Sequence, residues 1–300
     1  MGEARPGGYA DLHAINYEAP NTLKDAVALL AQHGEKGRPL CGGTDLIIQL
    51  RAGVRRPDFV VDVKKIPDLL KISFDAKKGL RLGAAVPAIE VFHNSDLQRH
   101  YPGLVEAAHL IGSNQIQGRA SVGGNLCNGS PAADTTPALI ALNARARVVG
   151  PKGEREVKVE EFCTAPGRTV LAPGELLVEL LFDAPQPHSA DAYLRFIPRN
   201  EMDIAVVGVG SWLHMDGDKV TAARIGLGAV AATPLYAAKA SESLTGKKLD
   251  DAASDRACKL AIEASSPIDD MRGTAEFRRH LVGVLTKRTL HIAAERARKA

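Results

Sequence analysis

The order of the predicted elements places this 300-residue chain in the α+β class, with two domains. Three observations lead there. Residues 15–63 read as β–α–β–α–β, the order of a small parallel sheet. The next hundred or so residues read as antiparallel hairpins separated by helices. Residues 193–229 read as three strands, and everything after Pro234 reads as three helices. Length agrees, since a domain averages about 150 residues.

Each element has a local reason. Ile15 and Tyr17 open a short strand. A helix over 22–33 follows, with Thr22 and Asp25 as a capping-box-like start, Leu23, Ala26, Leu29 and Leu30 on one face, and Gly34 as the stop. Residues 44–51 read as a short helix opened by Thr44 and closed by Gly53. Residues 59–63 are almost wholly apolar and read as a strand buried on both faces. Residues 70–75 and 79–84 flank a Lys77-Lys78-Gly79 turn, and residues 88–93 and 104–111 are helical. Residues 112–137 are rich in Gly, Ser and Asn, the composition of a functional loop. A helix over 137–143 leads to strands 147–149 and 156–160, and ELLVELL over 175–181 is a further strand. Pro185-Gln186-Pro187 reads as a linker. Beyond it lie strands 193–197, 205–213 and 220–229, the last two joined by a hairpin at Met215-Asp216-Gly217-Asp218, then helices 235–244, 250–264 and 275–298.

Composition removes several classes of function. Aromatic residues are 4% of the chain, too few to stack single-stranded nucleic acid. The four cysteines, 41, 127, 163 and 258, include no CxxC pair, and the nine histidines include no HExxH, so no metal site is expected. The start, Met1-Gly-Glu-Ala-Arg-Pro6, has no apolar core of a leader, and no run of about 18 apolar residues exists. Dispersed thiols point to a reducing, cytoplasmic setting. Net charge is +3, but residues 271–300 hold eight basic and two acidic side chains, a local +6. That segment reads either as a solvated helix face or as a docking surface for an acidic partner chain.

Two glycine-rich segments carry chemistry. The first is Leu40-Cys41-Gly42-Gly43-Thr44-Asp45-Leu46, after a strand and before a helix. Glycines there let backbone N–H groups approach a phosphate, and a helix start adds free donors. The second is Ser121-Val-Gly123-Gly124-Asn125-Leu-Cys127-Asn-Gly-Ser-Pro-Ala-Ala-Asp134, where Asp134 can accept from ribose hydroxyls. Each segment alone is also consistent with a tight structural turn or a self-packed loop. Two of them, about 80 residues apart, suit a ligand with a diphosphate at its centre, the shape of a dinucleotide.

The pair CGGTDL and SVGGNLCNGSPAAD, with ELLVELL, RNEMDIAVVGVG and RGTAEFRRHLVGVLTKR after them, resembles the FAD-binding medium subunit of the xanthine dehydrogenase (molybdenum hydroxylase) family. The flavin subunits of aerobic carbon monoxide dehydrogenase and 4-hydroxybenzoyl-CoA reductase belong to it. The resemblance runs from about Tyr17 to Ala294. It implies a two-subdomain FAD-binding domain of the PCMH type over 8–184. A C-terminal domain over 188–298 is implied next, with a small antiparallel sheet and a helical bundle. It implies that Pro39, Leu40, Cys41, Gly42, Gly43, Thr44, Asp45, Leu46 and Ile47 form one diphosphate loop. Ser121, Gly123, Gly124, Asn125 and Cys127 then form the other. Asp134 matches a residue contacting the adenosine, and Ile111, Gly112 and Ile116 match the adenine or diphosphate side. Leu176 and Arg195 match positions near the flavin ring, with Arg195 standing where relatives can have Lys.

The resemblance also implies a role: a flavoprotein subunit passing electrons from [2Fe–2S] clusters on a partner through FAD to NAD, a quinone, oxygen or another acceptor. Nothing in this sequence resembles the chains that hold the molybdopterin cofactor and the two [2Fe–2S] clusters. Those belong to a large and a small partner in a heterotrimer, itself expected as a dimer of heterotrimers. Cys127 runs straight into Asn-Gly-Ser-Pro, without the cysteine-rich insertion of the 4-hydroxybenzoyl-CoA reductase subunit, so no [4Fe–4S] cluster is expected. Two alternatives stay open on residues alone. One is a self-contained FAD-dependent oxidoreductase of the same superfold, although no His adjoins either glycine segment. The other is an assembly protein that has lost its flavin.

Overall fold

The computed structural model describes residues 14–300, so the start of the chain, where the sequence predicts no leader, lies outside the described residues. Strand β1 (Asn16–Glu18), helix α1 (Leu23–His33), strand β2 (Gly37–Leu40), helix α2 (Leu46–Arg51) and strand β3 (Phe59–Asp62) form the first unit. Its sheet has the order β1-β3-β2, all parallel, as the alternating elements predict. The Thr22 hydroxyl accepts from the Asp25 N–H at 3.1 Å and caps α1, and Gly34 ends it at φ +53°. Central β3 is buried throughout, which is why its sequence is apolar. Helix α2 starts at Leu46; its flanking residue is Asp45, not the expected Thr44, and Asp45 makes no capping bond.

The second unit holds β4 (Ile72–Asp75) and β5 (Gly79–Gly83), then helices α3 (Ala88–His93), α4 (Ser95–His100), α5 (Pro102–His109), α6 (Asn114–Gln117), α7 (Val122–Cys127) and α8 (Thr135–Ala141). Strands β6 (Arg145–Gly150), β7 (Gly153–Lys158), the small pair β8 (Cys163–Ala165) and β9 (Arg168–Thr169), and β10 (Leu176–Phe182) complete it. The main sheet has the order β4-β5-β10-β6-β7. Central β10 explains the ELLVELL run. Leu177, Leu180 and Phe182 enter the core of this unit, while Leu176 and Val178 enter the core of the first. Its one charged residue, Glu179, is buried and held by Arg81 and Arg147 on the neighbouring strands. Residues 112–137, expected as a loop, contain the short helices α6 and α7 and the first residues of α8. Ser121 caps α7, and Asn125 within that helix accepts from Thr135 at the start of α8.

The C-terminal unit pairs β11 (Ser189–Phe196), β12 (Val207–Asp216), β13 (Lys219–Gly228) and β14 (Leu235–Tyr236) in sequence order, antiparallel throughout. Helices α9 (Ala238–Leu244), α10 (Asp251–Ala264) and α11 (Ala275–Ala297) cover one face around a common core. Leu235 and Tyr236, expected to begin a helix, form β14 against Gly226 and Leu227. No helix among the described residues is long and apolar enough to cross a membrane.

Part of the basic C-terminal segment is matched inside the chain. Arg278 is buried and donates to the Val206 and Ala229 carbonyls at 2.7 and 3.1 Å and to Asp270 at 2.7 Å. Lys287 pairs with Asp251 and Asp255, Arg298 with Asp218, and Arg272 approaches Asp203 and Asp270. Arg296 pairs with Glu106 and donates to the Asp191 carbonyl at 2.9 Å. Five of the eight basic residues are thus matched within the chain, whereas Arg279, Arg288 and Lys299 are exposed and have no ion-pair partner among the described residues.

The last contact belongs to a seam between the C-terminal unit and the second unit. Asp191, fully buried on β11, accepts from the Leu104 N–H at 3.0 Å, at the start of α5. Burial, with Glu106 adding, pushes its carboxyl up to about 7. An unfolded aspartate titrates near 3.9, so between those values the folded chain holds a proton that the unfolded chain does not. The contribution of Asp191 therefore rises as pH falls from about 7 toward 4. Urea denaturation from pH 5 to 8 should show this. Relative to Asp191→Asn, the wild type gains stability on acidification by up to about 1.4 kcal/mol per pH unit. Parallel curves for the two proteins would show that Asp191 keeps an ordinary pKa.

Candidate functional site

The first glycine segment leaves the carboxyl end of β2, beside the carboxyl end of β3, where open parallel sheets place ligand crevices. Its position is fixed from below. Lys64 donates to the Cys41 carbonyl at 3.0 Å and to Asp62 at 2.7 Å, and Tyr17 donates to the other Asp62 oxygen at 2.7 Å. Burial pushes the Asp62 carboxyl up, but Lys64 and Tyr17 outweigh it and hold it below the usual range. Gly43 takes φ +78°, a left-handed conformation that suits glycine, and its carbonyl accepts from Ile47 to begin α2.

The second segment is a helix start. Ser121 caps α7, its hydroxyl accepting from the Gly124 N–H at 3.0 Å. The Asn125 Oδ1 accepts from the Thr135 hydroxyl at 2.7 Å and from the Thr135 N–H at 3.3 Å. Those bonds orient the amide and leave its NH₂ group available.

The two segments touch. The Cys41 thiol lies 3.3 Å from the Ser121 hydroxyl. Gln49 donates to Asn128 at 2.9 Å, and Asn128 donates to Asp45 at 3.1 Å. At Gly42 a Cβ would fall inside the Arg119 carbonyl, and at Gly123 it would lie 2.5 Å from the Ala84 carbonyl. On their Cβ side these two glycines thus admit neighbouring backbone. Gly124 differs: a Cβ there meets only the Ser121 hydroxyl, at 3.0 Å.

Between the segments lies a cleft of about 770 Å³, within the usual range for a cofactor site. Pro39, Cys41, Gly42, Gly43, Thr44, Asp45, Leu46, Ile111, Ser121, Gly123, Gly124, Asn125, Cys127 and Leu176 all line it. Among the described residues, the backbone N–H groups of Gly43, Thr44 and Gly123 have no acceptor within the chain. Donors that converge on a concave site without partners fit an anionic group such as a diphosphate. Its wall holds no thiolate. Burial raises the Cys41 thiol and pushes that of Cys127 up to about 12. Burial also raises the Asp45 carboxyl.

Six expected residues do not line the cleft. Leu40 is half-buried beneath Gly43, Ile47 faces solvent, and Ile116 packs into the second core under Gly112. Asp134 and Arg195 are paired with each other at 2.7 Å, and Tyr193 donates to the same carboxylate at 3.1 Å. Burial lifts the Asp134 carboxyl to about 6 against the pull of Arg195. This buried pair ties the end of the second glycine segment to β11. Gln49 and Asn128, which bracket the cleft mouth, went unassigned from the sequence. Asn128 stands inside the second segment, and Gln49 follows Leu46 by three positions on α2, so both carried a signal. Arg38, Arg55 and Arg168, also on the wall, carried none.

Replacing Ser121 by Ala removes the cap of α7 and the contact to Cys41. The expected cost is about 1 kcal/mol, measurable by chemical denaturation. A variant as stable as the wild type would show that the hydroxyl does not hold the segment.

Comparison with known proteins agrees with this geometry. Residues 13–183 match the family described as FAD binding domain in molybdopterin dehydrogenase. Residues 192–293 match the CO dehydrogenase flavoprotein C-terminal domain. The chain is 34% identical to the carbon monoxide dehydrogenase medium chain of Afipia carboxidovorans, over 95% of this chain and 98% of that one. It is 31% identical to the xanthine dehydrogenase FAD-binding subunit of Escherichia coli O157:H7, over 94% and 97%. Its fold is similar to a chain in the crystal structure of the cyanide-inactivated Cu,Mo-CO dehydrogenase. The TM-score is 0.91 at 33% identity, covering 95% of this chain and 99% of that one. A chain of quinoline 2-oxidoreductase from Pseudomonas putida 86 gives 0.87 at 27% identity, covering 96% and 99%.

Proposed function

The chain belongs to the FAD-binding medium subunits of the xanthine dehydrogenase and carbon monoxide dehydrogenase family, and is thus an FAD-containing oxidoreductase subunit; from that premise we propose that it is the electron-exit subunit of a molybdenum hydroxylase. When bound, FAD takes electrons from two [2Fe–2S] clusters on a small partner chain and passes them to NAD, a quinone, oxygen or another acceptor, after a molybdopterin centre on a large partner has oxidised the substrate. The assembly we propose is a dimer of heterotrimers in the cytoplasm, with this chain's FAD-binding domain over 8–184 and its C-terminal domain over 188–298.

The single observation that carries the reading is the cleft between two stitched glycine segments, with N–H donors that nothing among the described residues satisfies. Gly43, Thr44 and Gly123 would offer those donors to the diphosphate, and Ser121 keeps the second segment in place. Asn125 presents its NH₂ group beside them. Ile111 and Leu176 supply apolar wall for the ring systems. Asp134, neutralised by Arg195, would fix the edge of the site nearest the C-terminal unit. Among the described residues, no histidine lines the cleft, and Glu175 is engaged by Arg155 at 2.7 Å. A transfer of electrons needs no general base, whereas a self-contained FAD oxidoreductase acting on its own substrate does.

Wild-type chain produced alone, without its partner chains, should release about one FAD on heating and hold no stoichiometric iron. Gly124→Val fills the open position beside the capping hydroxyl and should lower FAD content at least tenfold while the melting curve stays cooperative. Gly42→Ala should instead destabilise the chain by about 1–3 kcal/mol, because it overpacks backbone against backbone. Full FAD content in Gly124→Val would remove the second segment from the cofactor site.

A further inference from the structure

Helix α2 is apolar and yet unburied. Its sequence is Leu-Ile-Ile-Gln-Leu-Arg, and none of the six residues is buried. Ile48 is 59% exposed, and Val54 in the turn that follows is 71% exposed. The helix has two faces. Leu46 and Gln49, three positions apart, line the cleft, whereas Ile47, Ile48 and Arg51 point the other way. Burial in the chain therefore accounts for the inner face only. Single exposed apolar residues need no explanation, but three within eight residues, on a segment that walls a cofactor site, form a patch.

Charge surrounds that patch. Arg51 and Arg56 are exposed, and among the described residues neither makes an ion pair or a hydrogen bond. Arg55 donates only to the Gly167 carbonyl, at 3.1 Å. In the C-terminal segment described above, Arg278, Lys287, Arg296 and Arg298 are matched. A second exposed apolar group, formed by Met202, Ile204, Ile268 and Met271, is flanked by Arg199 and Arg272, both next to Asp203. On α2 and the turn after it, exposed aliphatic side chains stand beside arginines that have no ion-pair partner among the described residues. An apolar centre with arginine at its rim is the composition of a protein–protein interface, and the sign of the rim calls for an acidic partner.

We propose that the outer face of α2, with Val54, Arg51 and Arg56, docks the acidic-rimmed face of the partner chain that delivers electrons to the cleft. The proposal rests on the function proposed above. Its occupant follows from position. A chain seated on this face is separated from the cleft by the thickness of one helix, about 10 Å, so a donor near its surface comes close to the cofactor. The helix thus has an apolar exterior for the same reason that its interior lines the site: both of its faces end up covered.

The test uses the full chain, affinity-tagged and expressed in its own host, with FAD, iron and molybdenum measured in the purified material. The variants are Ile48→Glu/Val54→Glu, Arg51→Glu/Arg56→Glu, and the milder Ile48→Ser. None of these residues lines the cleft, so each variant should keep the FAD content and melting temperature of the wild type. Wild-type chain should bring down iron and molybdenum. The first double variant should lose at least nine-tenths of both metals at unchanged FAD. The arginine variant should lose them progressively as salt is raised, and Ile48→Ser should fall between. Metal recovery at the wild-type level in both double variants would overturn the docking face and leave the flavoprotein reading intact. A wild-type chain with FAD but without metals would overturn the assembly itself.

Discussion

Everything about the cleft depends on two backbone segments, 41–43 and 119–124, lying closer together than a Cβ permits. Gly42 accepts the Arg119 carbonyl into the space where a side chain would stand. That approach joins a parallel three-stranded unit to an antiparallel five-stranded one and leaves a cavity along the join. The side-chain bonds across it, from Cys41 to Ser121 and from Gln49 through Asn128 to Asp45, span about 80 positions of sequence. Loop-closure entropy over such a span is repaid only if many contacts form together, so the site and the joint between the two units form as one event.

The C-terminal unit is attached by the same device. Pro137, on α8, sits against Gly210, Gly226 and Gly228 of β12 and β13. A Cβ on Gly210 would lie 2.6 Å from the Pro137 carbonyl. Three glycines on adjacent strands make a flat seat for one helix. Around it, the buried Asp134–Arg195 pair and the Asp191 contact to α5 set the register of the two units. Buried ion pairs add little net stability but penalise wrong arrangements. Arg195 leaves its Nε buried without a partner, so the pair is incomplete within the chain.

Much of this was legible in the sequence, for identifiable reasons. Strands and helices with strong local signals, such as β3, the β12–β13 hairpin and α1 with its Thr22 cap, emerged where expected. The stretch 112–137 was misread because Gly, Ser and Asn serve both loops and short capped helices; Ser121 is a cap whose helix is only six residues long. The site itself was half legible. Fourteen of the expected residues line the cleft, and the close approach of protein backbone to the Cβ side of Gly42 and Gly123 is a second demand on those glycines that the sequence did not reveal. The pairing of Asp134 with Arg195, 61 positions away, and the matching of part of the C-terminal charge were invisible. Both depend on which distant carboxylates or carbonyls the fold brings alongside, and no local pattern encodes that.

The state of the cysteines has a further consequence. Cys41 and Cys127 stand on the wall of the cleft, and burial keeps both as thiols. The thiolate is the nucleophile and the species that peroxide attacks. Sulfur placed here is therefore inert filler. Its low thiolate fraction slows addition to an electrophilic ring and attack by the reduced oxygen species that form wherever electrons leak to dioxygen. The fold thus lines the chamber with the one residue type most exposed to oxidative damage, and half-buries each sulfur so that its thiolate is disfavoured.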